Sequence, residues 1–233
     1  MDAYIIIAYI IIILLTGLSL LIHEIGHLAA AKFFDIKVKL FSIGICPSLA
    51  SYNYKDIKVK ICAFPVMFYV TLNYDTNSYF NIPLYKRVLF SIFGSLANLL
   101  FLIFIYLFCI AINKTFLVSE FYKIYTLMYN INYIPGILYL INGFAKLIYQ
   151  NLYSCISFLL IINIIITAVN LLPIIEHDGG KIIFNILNQK KPNILKYYVA
   201  FSKILKFSIG SLVIYFTIMD SWRLFIKFFR NTL

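Results

Sequence analysis

Three uncharged apolar runs dominate the chain, at residues 3–22, 88–112 and 152–175, spanning 20, 25 and 24 positions without an Asp, Glu, Lys or Arg. Coiled as helices at about 1.5 Å per residue, each reaches about 30 Å or more, the thickness of a bilayer's hydrocarbon core. Inside lipid every backbone N–H and C=O must find a partner within the protein, so such runs point to a helical bundle. Composition supports this: 63% of residues are apolar and 12% charged, against roughly 45–50% and 25% in soluble domains. A disordered chain is excluded, and a soluble globule is disfavoured. With 9 glycines, 6 prolines and 3 histidines among 233 residues, collagen-like, proline-rich and histidine-rich chains are excluded too. A fourth span is expected at about 197–219, where Lys203 and Lys206 would have to snorkel towards the headgroups.

The net charge of +11 would suit a nucleic-acid binder if it were clustered on one surface. Its distribution argues otherwise. Eight basic residues lie between the first two runs (Lys32, Lys37, Lys39, Lys55, Lys58, Lys60, Lys86 and Arg87), and Lys181, Lys190, Lys191 and Lys196 follow the third. Only Lys114, Lys123 and Lys146 fall in 113–151. By the positive-inside rule, the first helix enters the cytoplasm, the second leaves and the third returns. The expected partners are therefore the lipid bilayer and no nucleic acid. The Trp222–Arg230 stretch is expected to be an interfacial tail.

Period-two alternation of Lys with apolar residues at 36–41 and 56–61 predicts two strands forming a small sheet at the membrane surface, with 48–54 as the turn. The uncharged stretch 124–145 is expected to be interfacial or re-entrant, because one more crossing would invert the third helix. The polar stretch 75–81 is expected to be a solvated loop. Cys46, Cys62, Cys109 and Cys155 form no C-x-x-C pair and are expected to serve packing. No cleavable leader is expected, since residues 1–3 lack a basic region.

The chemistry begins at the inner end of the first run, with His23-Glu24-Ile25-Gly26-His27. Positions i and i+4 share one helix face, so both imidazoles can hold one Zn²⁺ while Glu24 acts as general base on water. Two of the three histidines and one of the three glutamates fall in this pentapeptide. A chance match in such a composition is on the order of 0.0005 per chain. Zinc needs a third protein ligand. His177 is one option, and Asp178 is the better one because it closes the third span on the same side as His23 and His27.

The motifs together resemble the site-2 protease family of intramembrane zinc metalloproteases. The resemblance rests on His23–His27, on Gly94-Ser95-Leu96-Ala97-Asn98 (where the family has G-P-x-x-N), and on Asn170-Leu171-Leu172-Pro173 followed by Asp178-Gly179-Gly180. Ile43–Pro47 is similar to the family's G-x-G-P stretch. Pro65–Val70 is similar to its P-x-G-G-Y-V, with Met67 and Phe68 in place of glycines. Pro83, Lys86 and Arg87 match the family's proline and basic residues before the second core helix.

The resemblance implies a zinc-dependent endopeptidase cleaving a transmembrane or signal-peptide-derived substrate within or near the bilayer. The substrate would be extended as a strand beside a loop edge. Glu24 would be catalytic, and His23, His27 and Asp178 would hold zinc. Asn98 and Asn170 would position substrate or an oxyanion, or else act as interhelical hydrogen-bond glue. Glu176 and His177 depart from the family pattern; they either lie in water at the inner mouth, or support the metal from behind its ligands or contact the substrate. The expected fold is an all-α membrane protein, a bundle of about four transmembrane helices with a three-helix catalytic core and a small membrane-associated β element between helices 1 and 2. Residues 1–196 would form the core, with spans at about 3–34, 88–112 and 152–175, and 197–233 a C-terminal helix and basic tail. The bacterial inner membrane, with the site facing the cytoplasm, is the expected location. Substrate choice would come from the loops or from a regulatory membrane partner. The alternative is a catalytically silent protein of the same fold that binds peptides or confers immunity.

Overall fold

The computed structural model describes residues 3–112, 122, 137–150 and 154–232. Helix α1 (Ala3–Phe33) leads into strands β1 (Val38–Tyr54) and β2 (Ile57–Leu72), followed by α2 (Thr76–Asn81) and α3 (Leu84–Ile112). After these come α4 (Ile137–Gln150), α5 (Ser154–Asn170), α6 (Asp178–Lys190) and α7 (Pro192–Thr232). The protein is mostly helical, and it is a membrane protein. Among the described residues, three helices are long and apolar enough to cross a bilayer: Ile6–Phe33, Leu84–Ala111 and Pro192–Arg223.

The expected third span is shorter than its apolar run. Helix α5 ends at Asn170, because Pro173 cannot continue a helix and residues 171–177 turn back instead. Asp178 therefore does not close this helix; it opens α6. At 17 residues, α5 is about 25 Å long, slightly less than the hydrocarbon core. The expected C-terminal tail, Trp222–Arg230, is helical. It continues α7 without a break from Pro192, and many of that helix's large apolar side chains, such as Phe207 and Ile204, are exposed, as a lipid-facing helix requires.

Helix α1 stops in a Schellman turn. Asp35 takes a left-handed φ of 56°, and the Ile36 amide donates to the Ala31 carbonyl at 2.8 Å, while Ile36 packs in a cluster with Ala30 and Ala31. That turn launches β1. Residues 48–54, expected as a turn, are strand. The reversal is two residues long, with Lys55 at φ 53° and Tyr54 paired to Ile57. β1 and β2 pair antiparallel overall, but both bend so sharply that Phe41 lies opposite Val70 on one side and Val59 on the other. Gly44, at φ 88°, permits a bulge where the register shifts. The two long strands thus make four short lanes. Val38 and Val59 are buried while Lys37, Lys39 and Lys58 are exposed, as the alternation predicted; Phe41 is buried out of phase with it, where the register shifts.

The sheet lies against helix α1. Its Pro65 packs on Gly17, where an added Cβ would lie 3.2 Å from the Pro65 carbonyl oxygen. Gly17 precedes His23 by six residues, so the strand tip lies about 9 Å further along the span than His23.

The stretch 75–81 is ordered too: Asp75 accepts the Ser78 amide and caps α2. Residues 124–136 of the expected interfacial stretch lie outside the described residues. The remainder belongs to α4, whose Phe144, Ala145 and Ile148 pack against Ala8 and Ile12 of α1 and Phe158 of α5. Cys62, Cys109 and Cys155 are free thiols, the first two buried.

Candidate metal centre

Two helix turns and one loop build the site. On α1 the i, i+4 spacing puts His23 and His27 on one face, with their Nε2 atoms 3.2 Å apart. Asp178, the first residue of α6, brings its Oδ2 to 3.0 Å from Nε2 of His23 and 3.1 Å from Nε2 of His27. All three residues are at least 95% buried. Ligands about 2.0 Å from a tetrahedral centre are spaced by roughly 3.3 Å, so this triangle needs little adjustment to accept one ion. Among the described residues, these three form the group whose ligand atoms could hold a metal. His177 is not in it. It instead precedes α6 as the N-cap residue, without a side-chain capping bond.

The surroundings orient the ligands. Nδ1 of His27 lies 2.8 Å from the Phe90 carbonyl. It must donate there, which leaves the Nε2 lone pair directed at the centre. Lys181 holds the other carboxylate oxygen of Asp178 at 3.0 Å. Burial alone would raise the Asp178 pKa, but the hydrogen bonds with His23 and His27 outweigh it, and the carboxyl is held far below its usual range. It is ionised, as a ligand must be.

Glycines supply the space. A Cβ on Gly94 would lie 2.4 Å from Nε2 of His27 and 2.7 Å from Nε2 of His23, so only hydrogen leaves room for an ion. Gly26, inside the His-Glu motif, lets α1 and α3 touch: its Cβ would lie 2.3 Å from the Phe93 carbonyl oxygen. Gly179 and Gly180 do the same for the turn, where added Cβ atoms would lie 2.2 Å from the Leu171 oxygen and 1.8 Å from that of Ile174. The donor set, the spacing and the glycine-lined room fit zinc.

The remaining candidates separate. Glu24 is half-buried beside His23 on α1. Asn98, one helical turn beyond Gly94, is fully buried, and neither its Nδ2 nor its Oδ1 has a protein partner. Asn170 turns away, donating to the Ile166 carbonyl of its own helix at 3.0 Å. Glu176 is exposed and paired with Lys206, whose hydrogen bond lowers its pKa. Partial burial pushes the His177 imidazole down.

Of two supports, sequence reasoning named Arg87 only as a match to the family pattern and missed Asn163. Arg87 is 98% buried and ties α3 to α6 through Asn185 at 3.0 Å and Gln189 at 3.1 Å. Asn163 of α5 donates to Ser19 of α1 at 2.9 Å, one turn before His23. An Asn inside an apolar run was the available signal for the second.

A family comparison matches residues 9–209 to Peptidase family M50. Among curated proteins, the "Putative zinc metalloprotease" of Clostridium acetobutylicum is 35% identical over 97 residues, 39% of this chain and 29% of that one. The "Putative zinc metalloprotease" of Chlamydia trachomatis is 33% identical over 119 residues, 43% of this chain and 19% of that one. In Arabidopsis thaliana, the "Probable membrane metalloprotease ARASP2, chloroplastic" is 32% identical over 92 residues, covering 35% and 21%. The matched stretch spans less than a third of the length of these relatives.

Proposed function

Since the chain belongs to peptidase family M50, a family of zinc metalloproteases, we propose that it is an intramembrane endopeptidase cutting transmembrane or signal-peptide-derived segments in or near the bilayer of the bacterial inner membrane. The observation that carries this reading is the meeting of His23, His27 and Asp178 beside Glu24 on a helix apolar enough to span a membrane. Nε2 of each histidine and Oδ2 of Asp178 would hold the zinc. When bound, the metal supplies a Lewis acid that makes water a competent nucleophile at neutral pH.

The protein's own groups do the rest. Glu24 takes the proton from the attacking water on its carboxylate and delivers it to the leaving amide nitrogen. Asn98, buried with both amide atoms unpartnered, is the better placed of the two asparagines to meet a substrate carbonyl. Asn170 is already engaged by its own helix.

A helical substrate shields its peptide bonds, so it must be extended before cleavage. Strand addition replaces the lost backbone partners. The outer lanes of the folded sheet, residues 48–54 and 68–72, offer that edge, and contact between Pro65 and Gly17 supports a site reached from within the span. The cytoplasmic orientation rests on the basic segments that flank the helices, and selection among substrates is assigned to the loops or to a regulatory membrane partner. Membrane proteomics of cells carrying Glu24→Gln tests the whole reading. An uncleaved membrane precursor should accumulate that is absent with the parent protein; an unchanged membrane proteome favours the silent, peptide-binding alternative.

A further inference from the structure

Helix α7 lies outside the three-helix arrangement that carries the motifs, yet two of its buried residues contact the turn leading to Asp178. Tyr198 and Ser202 are one helical turn apart, 92% and 99% buried. The Tyr198 hydroxyl lies 3.0 Å from the Gly180 carbonyl and 3.3 Å from the Pro173 carbonyl, so its single proton is shared between the two limbs of the turn. Ser202 accepts the Ile175 amide at 2.9 Å, midway along the same turn.

We propose that Tyr198 and Ser202 are positioning residues for the metal centre, a latch from α7 that fixes where the Asp178 carboxylate sits. The turn has few bonds of its own. Ile174 donates to Leu172 and His177 to Ile174, each at 2.8 Å, while Pro173 has no N–H to give. Without Ser202 the Ile175 amide loses its partner, and without Tyr198 the two ends of the turn are no longer joined. Gly179 and Gly180 let the turn pack closely on itself, but that contact lies within the turn and does not tie it to a neighbouring helix. The two histidines sit on a single rigid helix, so the third corner of the triangle is the one that needs outside support. A ligand displaced by about 0.5 Å or more no longer matches its partners. A third contact on the same α7 face, the Glu176–Lys206 pair, is exposed at both ends and is screened, so it stands outside the latch.

The inference rests on Asp178 being a zinc ligand, and the test separates the two claims. The full chain is purified in detergent, stripped of metal, and titrated with zinc against a competing chelator. Thermal midpoints of the metal-free proteins are measured alongside. Tyr198→Phe and Ser202→Ala should each weaken zinc binding about tenfold, the lower end of what outer supports of a metal site contribute. Their metal-free midpoints should fall only slightly, as the loss of one buried hydrogen bond entails, and Lys206→Gln should bind zinc like the parent. Cobalt in place of zinc should give altered visible absorption in the two latch variants, reporting a changed ligand geometry. Parental zinc affinity in the Tyr198→Phe, Ser202→Ala double variant overturns the latch, provided Asp178→Ala loses zinc. A lowered metal-free midpoint with unchanged affinity overturns it equally, since that describes ordinary packing. Parental affinity in Asp178→Ala overturns the ligand assignment itself.

Discussion

Gly94 and His27 stand so close that a methyl group on the glycine would lie 2.4 Å from Nε2 of the histidine. α3 therefore contributes to the metal centre by what it omits. Gly94→Ala should fold, because the α1–α3 crossing depends on Gly26 instead, but it should bind zinc at least about tenfold more weakly and purify with clearly less metal than the parent, since the added methyl takes the room beside Nε2 of His27. Ser95→Ala, one residue along the same helix, should keep its zinc. Atomic absorption on purified protein decides it, and full occupancy in Gly94→Ala would show that the room it leaves is not the ion's.

Glu24→Gln removes a proton acceptor without removing a ligand. It should retain about one zinc per chain while cleavage drops by roughly 10²–10⁴-fold. The His23→Ala, His27→Ala double variant should lose both metal and activity. Retention of metal in the double variant would exclude the proposed ligand set, and an active Glu24→Gln protein would exclude the proposed base.

Arg87 should matter for stability rather than for zinc chemistry directly. Its guanidinium bonds the Ile82 carbonyl, Asn185 and Gln189, and it lies 5.1 Å from the Phe80 ring centre. Buried hydrogen bonds to a charged group are worth roughly 1.5–3 kcal/mol, so Arg87→Gln should cost about 3 kcal/mol in denaturant unfolding in detergent. Arg87→Lys should rescue little of it, as an ammonium cannot reproduce the planar fork. An unchanged midpoint would mean that α3 and α6 are held by packing alone.

The orientation can be read with reporter tags. Lys58 and Lys190 are both exposed, and tags at these positions should report the cytoplasm, while one at Lys123 should report the opposite side. A cytoplasmic signal from Lys123 would overturn the even number of crossings assigned between α3 and α5, and an outside signal at Lys58 would place the metal centre near the outer face.

Local features were legible from the chain because their periodicity is local. The histidines of α1 could be paired on one face from an i, i+4 spacing, the lysine alternation exposed the strands, and the uncharged runs located helices α1 and α3. Segment limits were harder where the same residue types serve two conformations. Residues 48–54 carry no lysine alternation and looked like turn material, yet they pair with 57–62. Residues 171–175 continue an apolar run but leave the helix, since hydropathy does not register the missing amide of Pro173.

What the sequence determined by itself was the solvent, the helix-borne His23-Glu24-His27 chemistry and the family, each encoded by residue type and short spacing. The chain also favoured Asp178 over His177, whereas tertiary structure alone decided that Asp178 reaches both histidines as the first residue of α6, that the sheet reaches alongside α1 as far as Gly17, and that Tyr198 and Ser202 meet the Asp178 turn. Those outcomes depend on which surfaces approach within about 3 Å across long stretches of chain. Close packing of glycine against carbonyl and histidine selects them, and spacing along a chain carries no record of that packing.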